Sequence, residues 1–198
     1  MKKSDKNIDL PSIRNITVSG RIGAGATTIA NKLSEILGWD LLEGGDLFEK
    51  IHKELGVSQV DVLARPDSFD LTYENKVKEI LKTKTHSIVQ SHLAGFDAQG
   101  IEGVYKILVI CRDEKGDDKA DIRIDRLMNR DNITLEEAKH EIIEREKRNL
   151  GKFRRLYADN DQEWVYWDNK YYDLIVNTYS HNREEALQFV LNRLGIKP

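Results

Sequence analysis

The sequence predicts a three-layer α/β fold, in which helices cover both faces of a five-stranded parallel sheet and further helices form a lid. Five short apolar runs are separated by helical patterns, and a glycine-rich turn directly follows the first run. Strands that are buried on both faces read as continuous stretches of Val, Ile and Leu rather than as alternating patterns. In folds of this kind ligands bind beyond the carboxyl ends of the strands, so functional residues are expected there.

The predicted strands share a run of apolar residues with polar neighbours. They are RNITVS at 14–19, DLLEG at 40–44, HSIVQS at 86–91, YKILVIC at 105–111 and YDLIVN at 172–177. The segment ATTIANKLSEILG at 26–38 carries an apolar stripe at helical spacing and ends at Gly38, a residue type that commonly terminates helices. The segment LTYENKVKEILK at 71–82 carries a similar stripe. Strand and helix therefore alternate, which favours right-handed crossovers within one sheet.

A long charged segment at about 112–160 separates the fourth and fifth strands. Thr134, with Glu137 three residues later, has the pattern of a capping box, which begins a helix. The segment therefore predicts two helices joined by a turn at RDNI, residues 130–133. Because it is too long for a simple connection, we expect it to act as a lid.

The composition excludes several classes of protein. The 198 residues carry a net charge of only -3, so no general field attracts nucleic acid or an anionic membrane. Cys111 is the only cysteine, which excludes an intrachain disulfide and is typical of a reducing, cytoplasmic setting. No apolar run approaches the roughly 18 residues of a membrane span. We expect one domain at 12–198, a flexible polar tail at 1–11, and a monomer or weak dimer.

The turn after the first strand has the spacing of a phosphate-binding loop that lacks its lysine. Gly20-x-x-x-x-Gly25-Ala26-Thr27 matches G-x-x-x-x-G-K-[ST] except at Ala26. Glycines in such a loop let backbone N–H groups point at phosphate oxygens, and the following helix adds the positive end of its dipole. Thr27 stands where the motif has the hydroxyl that binds Mg²⁺. The pattern predicts ATP and Mg²⁺ as cofactors, against the alternative of a glycine-rich turn that binds nothing.

The residues expected to bind the ATP phosphates all belong to this loop and the helix start after it. They are Gly20, Arg21, Gly23, Ala24, Gly25, Ala26, Thr27 and Thr28. For Arg21 the sequence leaves two possibilities open, contact with phosphate or exposure to solvent.

Five segments together resemble the archaeal-type branch of the cytidylate kinase-like nucleoside monophosphate kinases. They are GRIGAGATT at 20–28, EGGDLFEKIHKELG at 43–56, SHLAGF at 91–96, ITLEEAKHEIIEREKRN at 133–149 and YYDLIVNT at 171–178. The resemblance covers about residues 14–195. It implies a P-loop NTPase fold, small-molecule nucleotides as partners, Mg²⁺, and transfer of the ATP γ-phosphate to CMP or dCMP.

Several positions depart from the family's pattern. Gln90 and His92 stand where the family has an acidic residue and an arginine, and Leu71 and Asn75 stand where it has arginines. Gln90 brings no charge to organise Mg²⁺, and His92 can donate a hydrogen bond to phosphate but lacks the bidentate fork of arginine. Two further interpretations therefore stay open: a nucleotide-binding protein with weakened catalysis, and a kinase for another small acceptor.

Two basic stripes on the lid helices can supply the charge that Ala26 lacks. Each has residues at i, i+3 and i+7 on one helical face; the first comprises Arg123, Arg126 and Arg130, and the second Arg145, Arg148 and Lys152. Arginine side chains can neutralise a phosphoryl group during its transfer. The resemblance implies this role most directly for Arg126, Arg130 and Arg145, which with His92 are the predicted catalytic residues. The alternative is that Glu141–Arg145 and Glu144–Arg148 are ordinary i,i+4 pairs on an exposed helix.

Three aspartates and His92 are the candidates for binding the acceptor substrate. Asp46 follows the second strand, where capping the next helix is favoured over contact with an acceptor nucleotide. For Asp67 and Asp70 the resemblance implies contact with the amino group of cytosine, although aspartate is also common in turns. The aromatic residues within 164–172 favour packing against the sheet edge over base stacking.

Overall fold

The computed structural model describes residues 7–55 and 66–196. Its strands are β1 Asn15–Gly20, β2 Asp40–Glu43, β3 Ser87–Gln90, β4 Val104–Ile110 and β5 Leu174–Asn177. They form one five-stranded sheet in the order β2-β3-β1-β4-β5, and every neighbouring pair is parallel. The predicted α/β fold with five parallel strands is confirmed, because each apolar run coincides with one strand.

The helices fill the connections between these strands. They are α1 Ala26–Leu37, α2 Gly44–Leu55, α3 Asp67–Thr83, α4 Ala94–Asp97, α5 Ala120–Asp131, α6 Leu135–Lys139, α7 Glu146–Tyr157 and α8 Arg183–Arg193. Helix α1 ends at Gly38, whose φ is +73° and whose N–H bonds to the carbonyl of Ser34, as predicted. Helix α3 begins one turn before the predicted stripe, since Asp67 and Asp70 favour its positive N-terminal end.

Two apolar layers cover the sheet and hold β1 at its centre. All six residues of β1 are buried. On one face Ile16 and Val18 belong to a core that α1 and α8 complete. On the other face Val89 belongs to a second core, completed by α2, α3 and α4. The carboxyl end of β1 therefore emerges between the two layers and leads directly into the glycine-rich loop.

The charged segment between β4 and β5 is helical over a narrower range than predicted. Helix α5 ends at Asp131, Asn132 takes a left-handed conformation, and Thr134 forms the predicted capping box with Glu137. The second helix is interrupted by a π-helical stretch at His140–Arg145, which joins α6 to α7. No local sequence rule marks this stretch, which places one extra residue in the helical turn and changes the direction of the side chains that follow.

Residues 8 and 10 of the predicted tail contact the rest of the domain. The Ile8 amide donates to the carbonyl of Leu37 at 2.9 Å, and the Trp39 indole donates to the carbonyl of Ile8 at 2.9 Å. Leu10 is only 8% exposed and packs in the core beside α1. Two backbone hydrogen bonds of Ile8 and the buried side chain of Leu10 thus hold this segment against the domain, while residues 1–6 of the predicted tail lie outside the described residues. Within 7–55 and 66–196, no helix combines the length and apolar character needed to span a bilayer.

Candidate active site

A cavity of about 730 Å³ opens at the carboxyl ends of the strands. Its walls are formed by the loop after β1, the residues after β2 and β3, one face of α3, the lid helices, and the segment from the end of β5 into α8. All eight residues predicted to bind the ATP phosphates line it: Gly20, Arg21, Gly23, Ala24, Gly25, Ala26, Thr27 and Thr28. The topology thus gathers the loop and the lid around one space of a size typical for small-molecule sites.

The glycines of the loop are required by its backbone. Gly23 and Gly25 have φ of +76° and +105°, a region that disfavours other residues. A β-carbon on Gly20 would lie 2.8 Å from the carbonyl oxygen of Val109 on β4. Gly25 is the N-cap of α1, so the first amides of that helix have no partner within it and lie at the cavity wall. This helix start is an anion-binding element that needs no side chain.

Arg21 lines the cavity but does not point to solvent, since its guanidinium has partners within the protein. Its guanidinium donates to the carboxylate of Glu146 with Nε at 2.9 Å, and its Nη1 lies 3.1 Å from Oδ1 of Asp118. The guanidinium also stacks on the ring of Trp167, 4.5 Å from its centroid. Of the two possibilities that the sequence left open for Arg21, exposure to solvent is wrong, because two carboxylates hold its guanidinium at the cavity wall.

Arg126, Arg130 and Arg145 line the cavity, as the lid prediction requires. Arg126 donates to Oγ1 and to the carbonyl oxygen of Thr178, both at 2.8 Å, and its Nη1 lies 3.6 Å from Sγ of the buried Cys111. Arg130 is paired with Asp131 at 2.6 Å, and Arg145 with Glu141. Arg126 thus has an uncharged partner and keeps its net charge, whereas the other two are neutralised by exposed carboxylates.

The other members of the two basic stripes do not line the cavity. Arg123 is 1% exposed, and its guanidinium bonds to Asp118, to Glu146 and to the carbonyl of Ile22. Arg148 contacts the ring of His140. Only some members of each stripe therefore reach the cavity, because buried carboxylates hold others inside the protein.

His92 lies on the cavity wall beside the loop. Its Nδ1 is 3.1 Å from the carbonyl oxygen of Gly20, which can only accept, so Nδ1 carries the hydrogen. Burial lowers the pKa of His92 below its usual value, and the nearby charge of Arg145 lowers it further. The ring is therefore neutral at pH 7, and its Nε2 is an acceptor until a proton is added.

The three candidate aspartates occupy different positions. Asp70 lies on the cavity wall and its Oδ2 is 2.6 Å from the Nζ of Lys152. Asp67 is off the wall and forms a two-pronged ion pair with Arg155. Asp46 is exposed in the first turn of α2 and also lies off the wall. The prediction that Asp46 caps this helix is wrong, because the helix already begins at Gly44.

Several residues that line the cavity were not predicted from the sequence. On α3 the wall includes Tyr73 and Glu74, which follow Asp70 by three and four residues; near β5 it includes Thr178 and Arg183. The spacing along α3 could have found the first pair, since i, i+3 and i+4 share one face. The rule that ligands bind at the carboxyl ends of strands could have found the second pair.

Glu74, on the α3 wall of the cavity, belongs to a buried acidic pair with Asp97. Burial raises its pKa well above the usual value, and the neighbouring carboxylate of Asp97 raises it further. The Nζ of Lys78 lies 3.2 Å from Oδ1 of Asp97 and favours the charged form of that carboxylate. Burial beside Asp97 therefore favours the protonated form of Glu74.

The aromatic residues before β5 pack together rather than facing the cavity. Trp164 and Tyr166 are buried and form a cluster with Leu93 and Phe153. The ring of Tyr166 meets that of Trp167 edge to face, with centroids 4.6 Å apart. The favoured interpretation, packing over base stacking, agrees with this geometry.

Residues 15–180 match the sequence profile of the cytidylate kinase-like family. The cytidylate kinase of Methanosarcina acetivorans is 29% identical to the chain, and the match covers 88% of this chain and 93% of that protein. For the cytidylate kinase of Natronomonas pharaonis the identity is 30%, over 82% of this chain and 80% of the relative.

Solved structures share the fold at low sequence identity. An uncharacterized protein from Eubacterium ventriosum superposes with a TM-score of 0.65 at 14% identity, covering 93% of this chain and 99% of that one. A shikimate kinase from Acinetobacter baumannii, crystallised with shikimate, gives a TM-score of 0.54 at 16% identity, covering 92% and 94%. With the family match over most of its length, the chain belongs to the cytidylate kinase-like family and has the fold of a P-loop kinase.

Proposed function

We propose that this protein transfers the γ-phosphoryl group of ATP to CMP or dCMP. The observation that carries this proposal is the shared cavity, in which the glycine-rich loop, three lid arginines and one face of α3 enclose one space. The family match supports a phosphotransferase. Phosphoryl transfer depends mainly on positioning and on neutralising charge, and this arrangement provides for both.

The donor half of the cavity is suited to ATP with Mg²⁺. The amides at the start of α1 would bind the phosphates, and the hydroxyl of Thr27 on the cavity wall would supply one oxygen to the metal. No cluster of three or more acidic, His or Cys side chains suited to a metal occurs among the described residues. That fits Mg²⁺ in such enzymes, because phosphates and water usually complete its coordination. When bound, the metal neutralises phosphate charge.

The lid arginines replace the charge missing at Ala26. Arg126 keeps its net charge because its partner, Thr178, is uncharged. The partners of Arg130 and Arg145 are exposed carboxylates, and exposed ion pairs contribute at most about 1 kcal/mol. Both arginines can therefore exchange these partners for a phosphate, and they would neutralise the γ-phosphoryl group during transfer.

The acceptor half would bind the nucleoside monophosphate beside α3. Asp70 lies on this wall, and we assign it contact with the amino group of the base. His92 would contact the acceptor phosphate after taking up a proton on Nε2. Asp46 and Asp67 lie off the wall, so we assign them no contact with the acceptor. Small-molecule nucleotides, a cytoplasmic setting and a monomer or weak dimer complete the proposal.

ADP release in a coupled assay tests the proposal directly. We would assay the wild type with ATP and Mg²⁺ against CMP, dCMP, UMP and AMP. We expect turnover selective for the cytidine nucleotides and lost in Thr27→Ala. Thr83→Ala, an exposed threonine on α3 whose hydroxyl bonds to a carbonyl of its own helix, is the matched control. Equal turnover with every acceptor would contradict the assigned substrate.

A second function, nucleotide binding without transfer, is favoured by one specific observation. Ala26 removes the loop lysine, and Arg130 and Arg145 already have carboxylate partners. Calorimetry separates the two functions, since micromolar binding of ATP without acceptor-dependent turnover would support the binding protein. Turnover with a different hydroxyl compound would instead support another small acceptor, which the departures at Leu71 and Asn75 leave room for.

A further inference from the structure

We infer that Glu146 is a positioning residue, which fixes the lid to the phosphate-binding loop and so holds its neighbour Arg145 at the cavity. The inference rests on the proposed function for its catalytic consequence. Its structural basis is a set of four charged side chains, called here the loop–lid charge cluster: Arg21, Asp118, Arg123 and Glu146.

The loop–lid charge cluster is a closed ring of alternating charges. Arg21 contacts Oε1 of Glu146 and Oδ1 of Asp118, with Nε at 2.9 Å and Nη1 at 3.1 Å. Arg123 contacts the other oxygen of each carboxylate, Oε2 of Glu146 at 3.1 Å and Oδ2 of Asp118 at 2.7 Å. Two positive and two negative charges thus cancel, and each carboxylate is shared by both arginines. The charge of Arg21 is therefore not available to a phosphate.

Two further contacts tie the cluster to the loop backbone. The Nη1 of Arg123 donates to the carbonyl of Ile22 at 2.8 Å. The backbone of Arg123 approaches Gly23 so closely that a β-carbon there would lie 2.6 Å from the Arg123 carbonyl oxygen. Three consecutive loop residues, 21 to 23, therefore contact the lid. Arg123 and Glu146 are buried and the other two side chains are partly buried, which has a desolvation cost. The cluster is therefore better explained by the fixed geometry that it provides than by stability alone.

Glu146 and Arg145 are adjacent but point to different surroundings. The carboxylate of Glu146 is buried in the cluster, whereas Arg145 lines the cavity. Successive side chains on a helix point about 100° apart, so fixing Glu146 also fixes the direction of Arg145. The π-helical stretch ends at Arg145, and regular α-helix resumes at Glu146. Glu146 is thus the first lid residue after the irregular stretch, and it is held by the loop.

The test compares Glu146→Gln, Arg21→Met and Arg145→Met, each alone, and Glu146→Gln combined with Arg145→Met. We expect Glu146→Gln and Arg21→Met to lower kcat by about tenfold or more with KM for CMP nearly unchanged, as for an interaction that acts in the transition state. In the Arg145→Met background, Glu146→Gln should lower kcat no further, because it acts through Arg145. Hydrogen exchange without nucleotide should be faster in both cluster variants over residues 135–150.

Arg21→Met keeps the test valid if Glu146→Gln fails to fold, since Arg123 still pairs with both carboxylates. Lys106→Met, which removes a similarly buried cation from its pair with Asp173, should change neither kcat nor lid exchange. Full turnover with normal lid exchange in Arg21→Met and in folded Glu146→Gln would overturn the inference while the proposed function stands. If the wild type shows no turnover, the proposed function fails, and lid exchange alone then decides: faster exchange supports the positioning role, and unchanged exchange overturns it.

Discussion

Gly23 offers a direct measure of how tightly the loop packs against the lid. Its φ is +76°, and an added β-carbon would lie 2.6 Å from the carbonyl oxygen of Arg123. Alanine in the left-handed region costs about 1–2 kcal/mol, and forcing a carbon against packed backbone adds about 1–3 kcal/mol. We therefore expect Gly23→Ala to lower the free energy of unfolding by about 2–5 kcal/mol.

Gly100→Ala separates the two contributions. Gly100 has φ +74°, nearly the value at Gly23, but a β-carbon there would meet no atom within 4 Å. We expect this control to lower the free energy of unfolding by only about 1–2 kcal/mol. Urea unfolding followed by circular dichroism at pH 7 measures both variants under the same conditions. In a domain of this size each kcal/mol corresponds to about 2–4 °C in Tm.

The comparison has a clear failing result. If Gly23→Ala destabilises the protein no more than Gly100→Ala, the loop and lid separate easily, and the tight contact at Arg123 does not constrain them. A larger loss in Gly23→Ala, accompanied by weaker ATP binding, would show that the same contact shapes the phosphate site.

Three further substitutions test the buried ionisable side chains. The pKa of Glu74 is about 4.5 in the unfolded chain and is raised in the folded protein, so the folded protein holds this proton more tightly. The free energy of unfolding should therefore fall with rising pH, by up to about 1.4 kcal/mol per pH unit, between the unfolded and the folded pKa. Urea unfolding at several pH values should show a weaker pH dependence in Glu74→Gln but not in the control Glu79→Gln. His92 must gain a proton to donate a hydrogen bond from Nε2, and burial lowers its pKa. The affinity for CMP, measured by calorimetry, should therefore increase between pH 8 and pH 6, and the increase should be larger in the wild type than in His92→Gln. Lys152→Met removes the ammonium group 2.6 Å from the buried carboxylate of Asp70 and should cost about 3–5 kcal/mol in urea unfolding, largely recovered by adding Asp70→Asn.

The fold could be predicted because its signals are local. Each strand is a short apolar run, and Gly38 and the Thr134 capping box mark helix ends within a few residues. The loop could be found for the same reason, since its spacing from Gly20 to Thr27 is contiguous. The connection order of the strands then placed the loop at the carboxyl edge of the sheet without further information.

The partners of the arginines could not be predicted because they are distant in sequence. Arg21 and Glu146 are 125 positions apart, and no periodic pattern links them. The i, i+3, i+7 spacing groups the side chains of each stripe but could not show which of them a buried carboxylate would hold. Arg123 and Arg126 share a face, yet one is enclosed by Asp118 and Glu146 and the other reaches the cavity.

The single buried thiol makes the opening of this region measurable without any engineered label. Cys111 lies at the end of β4 against Arg126, and burial raises the pKa of its thiol. An alkylating reagent can therefore react only when the protein transiently exposes the sulfur, and the whole chain then gains the mass of one adduct. The rate of adduct formation reports how readily the structure opens locally beside Arg126, and any ligand that holds this arginine in place will lower that rate.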